Sequence, residues 1–247
     1  MKKPKENKEN KKFSNSSKMN KENELSSPFG TNFKLKKVNF DEKKIRERLE
    51  EILDEKDQEI IDMIIEDKQY FPDNLTNEVG VFRDIKGNIL EVFYGEKEGF
   101  NIPLHIMGTG AKKGLSIMSH NHANGLVIPS PEKDIVAMIF LKSKYCPIYS
   151  PNKTGLLVNS NVLKNKINWE EISNKYNKFF EDKKVEIQKL YTNETKKIKD
   201  NYTYKLLDKK LDDDLYRPYF VKNQDQIAKK INNMLKRNNF DLRFYIL

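Results

Sequence analysis

The sequence predicts an α/β fold, a layered mixed sheet with flanking helices, followed by a helical C-terminal extension. Three observations carry that expectation. Between about residues 33 and 160, short runs rich in β-branched and aromatic residues alternate with stretches of helical apolar spacing, the pattern of α/β or α+β layers. From Trp169 the texture changes to Lys- and Glu-rich sequence with apolar side chains on a helical stripe. At 247 residues the chain is long enough for one ordinary domain with appendages, or for two small ones.

Each element has its own signal. Residues 1–30 are Lys, Glu, Asn and Ser with scattered apolar side chains, too few to offset ordering entropy, and they read as a disordered basic tail. After Asp41, the positions Ile45, Leu49, Ile52, Leu53, Ile60, Met63 and Ile64 recur at helical spacing until Phe71-Pro72. That predicts one long amphipathic helix or two shorter ones. Residues 78–83 and 89–94 flank the turn-rich Asp84-Ile-Lys-Gly-Asn88 and read as a β-hairpin. Residues 115–119 form a short strand running into His120. Ser130 followed by Pro131 reads as an N-cap with proline at the first helical position, opening a helix to about Lys142. Residues 146–149 and 155–159 are two further strands across a Ser-Pro-Asn-Lys turn.

In the C-terminal part, Ile172, Tyr176, Phe179, Phe180, Ile187, Leu190 and Tyr191 predict a long helix within 169–210. A second helix is expected over 224–237 and a closing strand over 242–247. The expected division is therefore a tail over 1–30, a catalytic-type domain over 31–160 and a basic, mainly helical extension over 161–247.

Charge follows the same division. The net +9 separates into +4 for residues 1–30, −2 for 31–160 and +7 for 161–247. Only six of the 46 basic residues are Arg, which makes the basicity weak evidence for nucleic acid, whose readers recruit Arg as well. The pairs Lys183-Lys184, Lys196-Lys197, Lys209-Lys210 and Lys229-Lys230, interleaved with Tyr and Phe, keep nucleic-acid contact as a weak alternative. A single cysteine, Cys146, rules out an internal disulfide framework and points to a reducing, cytoplasmic compartment. The first thirty residues lack the apolar core of a secretory signal. The most apolar window, Ile135 to Leu141, is far short of the roughly 20 residues a membrane span needs, so a soluble protein without a membrane partner is expected.

The chemistry concentrates between His120 and Asp134. His120 and His122 sit at i and i+2, on one side of an extended backbone, so both imidazoles can reach one ion. A carboxylate from the following helix would complete a His-His-Asp set with a fourth position left for water, as in catalytic zinc sites. His105 has no partner at ligand spacing. Cys146 precedes Pro147 in an apolar stretch and reads as a small buried hydrophobe. The letters His-Asn-His do not make an HNH nuclease, whose named residues are widely spaced, and the His-x-Glu with Pro-Cys-x-x-Cys of zinc deaminases is missing.

These residues resemble the JAB/JAMM (MPN-type) metalloprotease domains, especially the prokaryotic branch with RadC-like and phage-associated members. That pattern runs from a glutamate on an early strand to His-x-His, a seven-residue loop, Ser, two residues and Asp. Glu78 before the hairpin matches the glutamate. His120-Asn121-His122-Ala123-Asn124-Gly125 matches the histidine run, with Ala123 where proline is usual, and Ser130 follows after seven residues. Asp134 falls four residues after Ser130 rather than three. Two arrangements are open: a loop longer by one residue, in which Asp134 stays a ligand and Ser130 shifts, or a fixed Ser130 with Asp134 turned partly away by about 100°. The start of the apolar helix face at Asp134-Ile135 favours the first.

The resemblance covers about residues 75–160 and implies a JAB, deaminase-like layered fold. It implies Zn2+ held by His120, His122 and Asp134, with Glu78 moving the proton from water to the leaving amine and Ser130 donating to the tetrahedral oxyanion. The implied substrate is a protein or peptide, ubiquitin-like conjugates included, cleaved at a peptide or isopeptide bond. The competing class is a non-catalytic binding or assembly protein on a JAB scaffold, its site impaired by the Asp134 offset.

Overall fold

The apolar spacing after Asp41 folds as two helices, the second of the two expected forms. In the computed structural model, which describes residues 25–26, 32–33, 41–72, 75–96, 99, 101–122, 125–151, 153–160 and 169–247, helix α1 (Glu42–Ile52) starts at an Asp41 side chain that accepts the Lys44 N–H at 3.1 Å. Leu53 then turns extended, and α2 (Gln58–Asp67) follows a short 3-10 turn. Upstream, β1 (Leu25–Ser26) and β2 (Asn32–Phe33) pair antiparallel within a small N-terminal unit. Nearly all of the tail expected over 1–30 lies outside the described residues.

A six-stranded mixed sheet carries the second unit, residues 37–247. The hairpin is formed by β3 (Val79–Arg83) and β4 (Ile89–Tyr94). Its turn is tied by the Asp84 carboxylate, which accepts the N–H groups of Lys86 and Asn88 at 2.8 and 3.0 Å. Gly87 there has φ +85°, and a Cβ on it would strike Met63 of α2. Next come β5 (Leu115–Asn121), β6 (Ser143–Tyr149) and β7 (Thr154–Asn159). With β8 (Leu242–Ile246) at one edge, the order is β4-β3-β5-β6-β7-β8, and only β5 and β6 run parallel. A parallel pair requires a crossover; here it contains the turn Pro131–Ile135 and α4 (Val136–Phe140).

Helix α3 (Leu104–Lys113) is absent from the expectation. Gly108 and Gly110 lower its intrinsic helicity. Gly110 is required by packing, since a Cβ there would lie 2.6 Å from Leu141 Cδ2.

The long helix expected within 169–210 is broken. Helix α5 (Trp169–Leu190) ends where Tyr191 leaves helical geometry at φ −118°, and α6 (Thr192–Asn201) and α7 (Tyr204–Leu211) follow. The helix expected from 224 begins earlier: α8 (Arg217–Arg237) accommodates Pro218 in its first turn and kinks at Asn223. The closing strand forms as β8 (Leu242–Ile246), antiparallel to β7. Its outer edge is partly satisfied by Asn232 of α8, which accepts the Phe244 N–H at 2.7 Å and donates to the Phe244 carbonyl at 2.5 Å. The boundary expected at 160/161 therefore does not separate two packing units, because the C-terminal segment supplies the sheet's last strand.

Side-chain alternation along the strands builds two cores. Val79, Val81, Ile117, Tyr145 and Leu156 pack with Leu49, Ile61 and Ile64 of α1 and α2. Phe82, Met118, Ile148 and Leu157 face Ile106, Met138, Tyr176 and Ile231 from α3, α4, α5 and α8. Among the described residues no helix is long and apolar enough to cross a membrane.

Candidate metal centre

His120 belongs to the face of β5 that carries Met118, opposite Gly80 of β3 and Ile148 of β6. Gly80 adds no side chain beside the imidazole. The strand ends at Asn121, and the His122 N–H continues the parallel ladder to the Tyr149 carbonyl at 2.9 Å. Extended backbone therefore runs through both histidines and sends both rings the same way. Their Nε2 atoms lie 3.1 Å apart.

Asp134 joins them from the crossover. His120 Nε2 is 3.2 Å from Asp134 Oδ1, and His122 Nε2 is 3.4 Å from Asp134 Oδ2. The two contacts use different carboxylate oxygens, and one ligand atom from each of the three residues lies within 4.8 Å of the others. His120, His122 and Asp134 lie close enough to hold a metal ion. Two imidazoles and a carboxylate suit a borderline divalent cation.

Between Ser130 and the helix that follows, Pro131–Ile135 form a π turn that contains Asp134. The Ser130 carbonyl accepts both the Asp134 and the Ile135 N–H groups, each at 3.1 Å. Asp134 thus lies beside both imidazoles, as the favoured arrangement expected, while Ser130 stands at the N-cap of the turn. Ser130 keeps the N-cap, its hydroxyl oxygen accepting the Lys133 N–H at 3.3 Å. Its own N–H donates to Asp134 Oδ2 at 2.6 Å. This is a capping box stretched by one residue, and it aims the carboxylate at the imidazoles. Single π turns of this kind recur at functional sites.

Further contacts orient the set. His122 Nδ1–H donates to the Leu126 carbonyl at 2.7 Å, which in the neutral ring leaves the Nε2 lone pair facing Asp134 and His120. His120 Nδ1 faces the buried Cys146 sulfur at 3.8 Å. Asn121, between the two histidines, accepts the Val79 N–H at 2.6 Å and donates to the Asn77 carbonyl at 3.1 Å. It thus holds the backbone on both sides of Glu78. From the C-terminal helices, the Tyr176 hydroxyl donates to the Pro129 carbonyl at 2.9 Å, and Gln224 accepts the Val127 N–H at 3.2 Å.

Glu78 and Ser130 line the same cleft as His122 and Asp134, a cavity of about 630 Å³. Its far wall comes from Asn177, Phe180, Glu181 and Lys184 of α5, together with Asp212, Arg217 and Phe220. His105 stands apart, exposed, 2.7 Å from Glu91. Asn121, Tyr176, Gln224 and the wall residues have no signature as site residues in the sequence; Tyr176 and Phe180 read there only as part of a helical apolar stripe.

The electrostatics are those of a coupled cluster. Burial works against the Asp134 carboxylate, but His120 first and then His122 outweigh it and hold the group far below the usual carboxylate range. Burial likewise opposes charge on His122, yet Asp134 and Glu78 raise its pKa above the ordinary histidine value. Glu78 is pushed up by burial, with His122 and His120 pulling in the other direction. Burial pushes the Cys146 thiol up, so a neutral sulfur meets His120.

Compared with family models, with curated proteins and with solved structures, the chain matches none.

Proposed function

We propose that the chain is a zinc-dependent hydrolase of the JAB/JAMM kind, cleaving peptide or isopeptide bonds on a JAB-like, deaminase-like layered scaffold. The observation that carries this reading is the convergence of His120, His122 and Asp134 on one point, with His122 and Asp134 in the wall of a cleft that also contains Glu78 and Ser130. An ion held there would supply Lewis acidity, lowering the pKa of water and polarising a carbonyl.

The chain's own groups divide the remaining work. Glu78, half-buried and raised in pKa, takes the proton from an attacking water and returns it to the leaving amine. The Ser130 hydroxyl accepts a backbone N–H through its oxygen and so keeps its own proton for a developing oxyanion. His122, tied to Leu126, and Asp134, tied to the Ser130 N–H, keep their donor atoms turned toward the cleft. The non-catalytic scaffold reading depended on an Asp134 turned away, whereas the π turn keeps it beside both imidazoles.

The test is metal analysis of the full chain after exhaustive dialysis, beside Asp134→Ala, with hydrolysis of unfolded casein measured on the same samples. Wild type is expected to retain about one zinc per chain and to cleave, and Asp134→Ala to do neither. Wild-type protein without stoichiometric metal overturns the reading.

A further inference from the structure

The far wall of the cleft is built by α5 and α8, the part of the chain outside the resemblance. Phe180 of α5 and Phe220 of α8 stand with ring centroids 5.2 Å apart. Phe180 also stacks on Tyr176, at 5.2 Å, whose hydroxyl holds the Pro129 carbonyl beside Ser130. The wall is therefore connected directly to the loop that carries the metal ligands. Leu75, Leu126, Ile128 and Pro129 extend the apolar lining toward His122 and Asp134.

Charged residues on this wall answer one another. Arg217 pairs with Asp212 at 2.8 Å and with Asp213 at 3.2 Å. Lys184 pairs with Glu181 at 2.8 Å. A substrate ion would have to displace an existing partner, whereas an apolar group gains burial against the partly exposed Phe180, which the buried Phe220 backs.

Building on the hydrolase reading, we propose that the substrate is a peptide with a bulky apolar side chain next to the scissile bond, seated against Phe180 where that ring packs on Phe220. The diglycine tail of a ubiquitin-like conjugate has no side chain to cover this wall.

Binding to the zinc-loaded full-length chain tests this without relying on turnover. Calorimetry compares N-acetylphenylalanyl hydroxamate with N-acetylglycyl hydroxamate, and benzylsuccinyl hydroxamate with succinyl hydroxamate. The two pairs place a phenyl ring on the acyl side and the amine side of the chelating group. In at least one pair the phenyl probe is expected to bind about tenfold tighter or more. Phe180→Ala is expected to bring the two affinities of the responsive pair together. Phe180→Trp, which fills the wall, shifts preference toward an alanyl probe, and it carries the test with the wild-type pairs if Phe180→Ala does not fold. Equal affinities within both pairs overturn the inference while the hydrolase reading stands. Failure of all four chelators to bind removes both.

Discussion

Strand β5 carries a buried polar cluster on each of its faces, and the two are opposite in kind. On one face the Ser119 hydroxyl donates to Asp67 at 2.5 Å, and Asp67 pairs with Arg83 at 2.8 Å. Arg83 also donates to the Gly87 carbonyl at 2.8 Å and to Glu66 at 2.9 Å. One residue further along the strand, on the other face, His120 and His122 meet Asp134. The first cluster joins a carboxylate to a guanidinium and a hydroxyl, so every buried charge is answered within the protein. The second turns two imidazole nitrogens and a carboxylate toward one point, an arrangement completed by protons or by a cation. Similar ingredients are thus closed on one another on one face, and on the other include His122 and Asp134, which line a cleft.

The sharpest separation of the two comes from Glu78→Gln. It keeps the shape of the cleft and all three ligands but removes the proton acceptor, so hydrolysis is expected to fall by about 10²–10⁴-fold while zinc content stays at the wild-type level. Equal rates for variant and wild type would take Glu78 out of the mechanism.

On the closed side, Arg83→Ala leaves Asp67 buried without its cation and is expected to cost about 3–5 kcal/mol in urea unfolding. Zinc content per folded chain should not move. If metal and stability were lost together, the two faces would be one coupled network.

A pH series on chelator-treated protein probes the open side alone. Because the folded His122 pKa is raised, its contribution to stability is fully present below the unfolded value of about 6.5 and is lost as pH rises through the folded value. The melting temperature of metal-free protein should therefore decline in that window, and Asp134→Ala should flatten the decline. Added zinc reverses the slope, since protons compete with metal for the same ligands.

The smallest effect belongs to Ser130→Ala as a helix cap, about 1 kcal/mol of stability. An additional loss of hydrolysis at unchanged zinc content separates the oxyanion role from the cap, whereas a rate unchanged from wild type leaves Ser130 as a cap alone.

Much of the site was legible because its donors are close in sequence. His120 and His122 read as a pair because strand alternation has a period of two. Asp134 is only twelve residues further, at the start of a helix marked by Ser130 and Pro131. The π turn was not legible. Local sequence marks the N-cap at Ser130 but not the width of the turn that follows, and Ile135 and Met138 beyond it are buried in a core whose other members are distant in sequence. Helix α3 was hidden for a related reason: Gly108 and Gly110 argue locally against a helix, while the close approach of Leu141 demands a glycine.

By itself, the sequence determined which chemistry is on offer and which backbone periods carry it, because ligand types and strand or helix spacing act over a few residues. Only the tertiary structure decided that Phe180, Arg217 and Phe220, about 40 to 100 residues from the ligands along the chain, close the cleft. It also decided that the last strand completes the sheet. Those placements are sums of many weak, non-local burial contacts, and no single residue's identity encodes them.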